Sequence, residues 1–201
     1  MSNFWRNCAF GCAGLVVLLA IAVVGGAVWL RTELTAKPPP GPRLAPNTVF
    51  RPVFQMQNGK VFSAGTAFAL RLRTDGMPLA VTALHLFGPS GGLDKDIPAS
   101  ELSRAVREVL LVPIGRNAPV ARAARAMTST GRPVGDDGDV SGDVAAFLIP
   151  RPGRIPVLQP AGDNPRMGEW IWLVGDAVNH KPQSQRLFPA RAITVSQKGL
   201  T

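Results

Sequence analysis

Two histidines bound the acid–base chemistry open to this chain. His180 stands in Asp176-Ala-Val-Asn-His-Lys-Pro-Gln-Ser184, a polar stretch broken by proline, and reads as a solvated loop residue. His85 is different, because it closes Leu79-Ala-Val-Thr-Ala-Leu-His85, where a short apolar strand ends. A ring there can be held by a folded core while one edge faces a cleft; the plainer role is a buried histidine satisfied by the backbone. A partner lies further along. Asp143 ends Asp136-Asp-Gly-Asp-Val-Ser-Gly-Asp and leads into the apolar run Val144–Ile149. An acid just before a buried strand sits at a sheet rim, where it can orient an imidazole and stabilise its charged form. Asp136, Asp137 and Asp139 read as a solvated turn, since a calcium loop needs ligands at fixed spacing and a closing glutamate, and none follows. The only cysteines, Cys8 and Cys12, fall in an apolar N-terminal run, so thiol chemistry and disulfides are absent from the remainder. No metal or cofactor is expected.

The elements that must position these residues read mostly as strand. Asn58-Gly59 between two β-prone runs, Phe54–Gln57 and Lys60–Phe62, is a hairpin signal. Thr66–Thr74 predicts a strand turned by Asp75-Gly76, and Leu79–Ala83 a buried strand. Ser100 is placed to cap a short helix running to Arg107, with Leu102 and Val106 on one face. Further strands are predicted over Val109–Ile114, Val144–Ile149, Trp170–Val174 and Ala190–Val195. Glycine and proline, 21 and 19 copies, punctuate nearly every junction. The pattern is all-β, a barrel or sandwich.

Several stretches, in order, resemble one family. Gly65-Thr-Ala-Phe-Ala-Leu70 and Ala80-Val-Thr-Ala-Leu-His85 are similar to the Gly-Thr-Gly-Phe and Leu-Val-Thr-Ala-Ala-His segments of trypsin-like serine peptidases. Gly142-Asp-Val-Ala-Ala-Phe-Leu148 is similar to that family's Asp-Ile-Ala-Leu-Leu segment, and Gly168–Gly175 to the strand that begins its second barrel. The resemblance implies a trypsin-like double β-barrel, with His85 as general base and Asp143 as its orienting acid. Leu84 departs from the family, which has a small residue there. The nucleophile is the larger departure. Ser184 and Ser196 lack the flanking glycines of the family's serine turn, and Ser90-Gly91-Gly92 lies five residues after His85, where it reads as a loop. By resemblance the second barrel is incomplete and the nucleophile segment missing from residues 1–201. The implied activity is peptide-bond hydrolysis by a membrane-anchored serine endopeptidase; the alternative is a non-catalytic binding or scaffolding module of the same fold. Either takes a protein or peptide as substrate or ligand.

The membrane expectation comes from composition. Residues 8–30 carry no charge over 23 positions, enough helix to cross a hydrocarbon core of about 30 Å, with Trp5 and Trp29 at its ends. A cleaved signal peptide would have a shorter core and a small-residue cleavage site. A transmembrane helix is therefore expected at 8–30, after a tail at 1–7. It precedes a Pro-rich stalk at 31–43, a first barrel at 44–155 and a partial second barrel at 156–201. Flanking charge does not settle orientation; the domain is expected on the extracytoplasmic side of a single-pass protein. Net charge is +9, and beyond residue 43 eighteen Lys and Arg face twelve Asp and Glu, leaving +6. Such a domain is drawn to anionic headgroups. Nucleic acid is not the expected partner, because the arginines are not gathered on one helix or interleaved with aromatics.

Overall fold

The computed structural model describes residues 36–134, 142–176 and 184–192. The chain divides into two compact units, Met1–Pro40 and Gly41–Thr201. Of the first, residues 36–40 are described; they are exposed and without regular structure. The helix expected at 8–30 lies outside the described residues. Among those that are described, no helix is long and apolar enough to cross a membrane.

The second unit is mostly β. Six strands close an antiparallel barrel in the order β1 (Val49–Met56), β3 (Ala67–Leu70), β4 (Leu79–Thr82), β7 (Ala145–Leu148), β6 (Ala121–Ala126) and β5 (Val106–Pro113), with β5 returning to β1. The short β2 (Val61–Ser63) completes the hairpin at Asn58-Gly59, where Gly59 takes φ 85° as the turn requires. β1 serves three partners. One edge runs along β5, while the other passes from β3 at Val49–Phe50 to β2 at Val53–Gln55. Pro52 sits in the gap between those two pairings, and its carbonyl accepts a hydrogen bond from Ser63 Oγ at 2.8 Å.

The interior alternates large and small residues. Phe50 and Phe54 of β1 and Phe147 of β7 face Ala67 and Ala69 of β3, Ala80 of β4, and Ala121 and Ala123 of β6, all buried. Rings of Phe54, Phe62, Phe87 and Phe147 form a chain with centroid separations of 4.7–6.4 Å.

The strand expected over Thr66–Thr74 covers Ala67–Leu70, and the one expected over Ala190–Val195 begins earlier, at Arg186, within Arg186–Arg191. Two further points need correction. The helix ending at Arg107 is shorter: a 3-10 turn (Ala99–Glu101) runs into α1 (Leu102–Ala105), and no side chain caps either. Val106 and Arg107 instead begin β5, because pairing with β1 claims seven of that strand's eight residues, with a bulge at Arg107. Leu102 and Val106 are buried, as the pattern required. Strand β6, Ala-Arg-Ala-Ala-Arg-Ala, was not expected; its composition favours helix, and closure between β5 and β7 overrides that preference. Beyond β7, the segment around Leu158 returns to the end of β3, where Leu158 N–H donates to Ala69 O at 2.8 Å. Of the partial second barrel expected over 156–201, the described residues hold one two-stranded sheet, β8 (Trp170–Gly175) against β9 (Arg186–Arg191).

Candidate active site

The pair singled out from sequence is brought together by sheet register. β4 and β7 run antiparallel with Thr82 opposite Ala145. Continuing that register past the end of β4 carries the chain before β7 alongside Leu84 and His85, so Asp143 arrives beside the histidine. His85 Nδ1 lies 2.6 Å from Asp143 Oδ2, and the His85 backbone N–H donates to Asp143 Oδ1 at 2.7 Å. One carboxylate thus grips both the ring and the main chain of the same residue.

The local sequence explains why the ring faces out. After β4 the chain makes a 3-10 turn, Leu84–Phe87. Residues three apart share a face in such a turn, and Leu84 and Phe87 both enter the core. Leu86 is also buried, against Gly65, whose position leaves no room for a side chain: an added Cβ would lie 2.5 Å from a Leu86 methyl. His85 is left as the residue that points away, with its side chain 38% exposed while that of Asp143 is 7% exposed. Leu84, the departure from the family pattern, packs into the barrel interior at 1% exposure.

Backbone contacts hold the turn from behind. Gly91 lies under the Leu86 carbonyl, and a Cβ there would sit 1.8 Å from that oxygen. Gly92 closes the following 3-10 turn (Pro89–Gly91) at φ 89°. The Ser90-Gly91-Gly92 segment is therefore a loop built on that short turn, in which Gly91 serves close approach and Gly92 the positive φ. On the acid's side, Gly142 O accepts from Arg132 N–H at 3.2 Å, and Thr128 Oγ1 accepts from Ala146 N–H at 2.9 Å.

An ionised carboxylate only accepts, so the ring nitrogen facing Asp143 must carry the proton, leaving the Nε2 lone pair available. Among the described residues no side chain bonds Nε2. Such an imidazole can take a proton from a hydroxyl or water and hold the resulting charge against Asp143.

The remaining candidates stay apart from this pair or outside view. Ser90 and Ser184 are exposed, and neither hydroxyl bonds His85. His180, Ser196, Asp136, Asp137 and Asp139 lie outside the described residues. Among the described residues no three His, Cys, Asp or Glu side chains converge to hold a metal. Sequence reading missed the second bond to the His85 backbone and the glycines that seat the turn. The pair Gly91-Gly92 soon after the histidine was the available signal. Comparison with protein-family models, curated proteins and solved structures finds no match to this chain.

Proposed function

We propose that the barrel carries the histidine–aspartate half of a serine endopeptidase of trypsin-like fold. The observation that supports this most is the two-point hold of Asp143 on His85, which fixes both the ring's direction and its tautomer. In that reading His85 Nε2 takes the proton of an attacking serine hydroxyl. Asp143 stabilises the imidazolium without itself taking the proton, which then passes to the leaving amine. The resemblance in segment order, Gly65–Leu70, then Ala80–His85, then Gly142–Leu148, supports the fold assignment alongside the closed six-stranded barrel. The Leu84–Phe87 turn and the register of β4 with β7 are the elements that would keep this geometry preorganised.

One observation favours the second reading, a non-catalytic binding module: no described serine reaches Nε2, and the exposed Ser184 lacks the glycine neighbours of an oxyanion-forming turn. The two readings separate with a fluorophosphonate probe. Residues 1–201 are expected not to label. A product of the same gene that also carries a glycine-flanked serine is expected to label, and to lose labelling in both His85→Ala and Asp143→Asn. If that longer product stays unlabelled, the binding module stands. The membrane anchor proposed for residues 8–30 has its own test, since carbonate extraction should leave the full chain with the membrane.

A further inference from the structure

The two ends of the barrel differ in charge. His85 and Asp143 occupy the end where β4 finishes and β7 begins. Strand directions put three loops at the opposite end: 71–78 between β3 and β4, 114–120 between β5 and β6, and 150–155 after β7. Contacts join them. Ile149 N–H donates to Pro78 O at 2.9 Å, and a depression of ≈ 550 Å³ is lined by Val120 and Arg122 on one side and Pro150 and Arg151 on the other.

These loops combine two features that together suit a charged, partly apolar interface. Their tips expose large aliphatic side chains: Leu72 at 62%, Met77 at 59% and Val120 at 44%. Around them stand five arginines against one acid, Asp75. Asp75 pairs with Arg73 in full solvent, whereas Arg116, Arg151 and Arg154 are exposed with no acidic partner among the described residues. The described turns near His85 are mixed instead, with Asp94, Asp96 and Glu101 exposed beside Lys60, Lys95 and Arg104.

We infer that this loop end is a contact surface for an anionic lipid bilayer, seating Leu72, Met77 and Val120 among the acyl-chain borders and the arginines at headgroup phosphates. Aliphatic tips gain by leaving water only where an apolar phase receives them, and guanidinium groups gain at phosphate oxygens beside it. A nucleic acid would reward the arginines but not the aliphatic tips, and the three loops contain no aromatic residue on which a base could stack. The surface stands apart from the proposed peptidase chemistry and places His85 at the far end of the barrel, in solvent.

The test uses the full chain with Cys8 and Cys12 replaced by serine and a single new cysteine carrying an environment-sensitive nitrobenzoxadiazole dye. With the dye at Met77→Cys, emission should shift to the blue on phosphatidylglycerol–phosphatidylcholine vesicles and revert in pure phosphatidylcholine or at raised salt. With the dye at Ser90→Cys, near the histidine, it should not move. The readout is local, so it is the same whether or not residues 8–30 span the bilayer. Neutralising Arg151 or Arg154 should weaken the anion-dependent response about fivefold for each arginine. A dye at position 77 that stays in water on anionic vesicles would overturn the inference. So would equal shifts at positions 77 and 90, or a shift produced by a single-stranded oligonucleotide without vesicles.

Discussion

The six-stranded barrel and the β8–β9 hairpin are built from similarly apolar strands, yet they end in different states. In the barrel every strand of the ring has two neighbours, and Phe50, Phe54, Phe147 and Leu111 are fully enclosed. In the hairpin each strand has one neighbour among the described residues, and none of its residues is buried. Leu173 and Phe188, directly opposed, stand in solvent at 58% and 39% exposure. Closure explains the contrast. A ring of strands gives every inward side chain a wall to face, whereas two strands have only what packs on them from elsewhere. The positioning of His85 and Asp143 therefore depends on the barrel alone.

The largest expected effect breaks the barrel side of that comparison. Phe54 touches the rings of Phe62 and Phe87 and has no exposed surface. Phe54→Ala should cost about 3–5 kcal/mol, read as a fall in denaturant midpoint, because the closed wall cannot collapse onto the void. The loss should carry His85 with it, since Phe87 ends the turn that bears the histidine. Second in size is Asp143→Ala. It strands the His85 N–H and frees the ring, for about 1.5–3 kcal/mol. Asp143→Asn should cost less stability but put a donor where the ring also donates. Nitrogen-15 chemical shifts of the imidazole should then report the proton moved to Nε2.

Much of this architecture was legible in the residues, and the reasons are local. Asn58-Gly59 announced its hairpin because only a few residues take the φ its turn demands. His85 and Asp143 could be singled out because each adjoins an apolar run, so the strand that holds it is visible beside it. What joins them was not legible, since the pairing of β4 with β7 is set across 63 positions by barrel closure. The same closure turned Ala121–Ala126 into strand against its own preference. The expected cap at Ser100 failed because Ser100 lies inside the 3-10 turn Ala99–Glu101, and pairing with β1 ended the helix before Val106. Nothing near Gln185 in the sequence hinted at its contacts, which reach back to the start of β1.

That glutamine gives the third prediction, which sharpens the comparison instead of breaking it. Gln185 Oε1 accepts from Thr48 N–H at 2.8 Å, and its Nε2 donates to Ala45 O at 2.6 Å. It ties the chain entering β9 to the chain entering β1. Gln185→Ala should raise amide exchange across Trp170–Gly175 and Arg186–Arg191 about tenfold, equivalent to about 1.4 kcal/mol of local stability, and leave Phe50–Phe54 unchanged. Equal loosening of both regions would mean that the barrel leans on the hairpin after all.

The smallest effect is expected at Leu173, where the comparison is most exposed to error. Leu173→Thr replaces an aliphatic side chain with a β-branched polar one that suits a strand. In the barrel the same exchange at Leu111 would put a hydroxyl into an enclosed apolar site and leave a void beside it, for a loss of about 2–5 kcal/mol. At Leu173 more than half the surface is already in water, so little apolar burial is lost, and only the contact with Phe188 across the ladder weakens. The expected change is within about 0.5 kcal/mol in either direction. Equilibrium unfolding at several protein concentrations measures it and also tests its premise. A loss above about 1 kcal/mol that grows with concentration would mean that Leu173 and Phe188 are covered by a second copy in solution. The hairpin's open face would then be an interface, and its contrast with the barrel would belong to the isolated chain only.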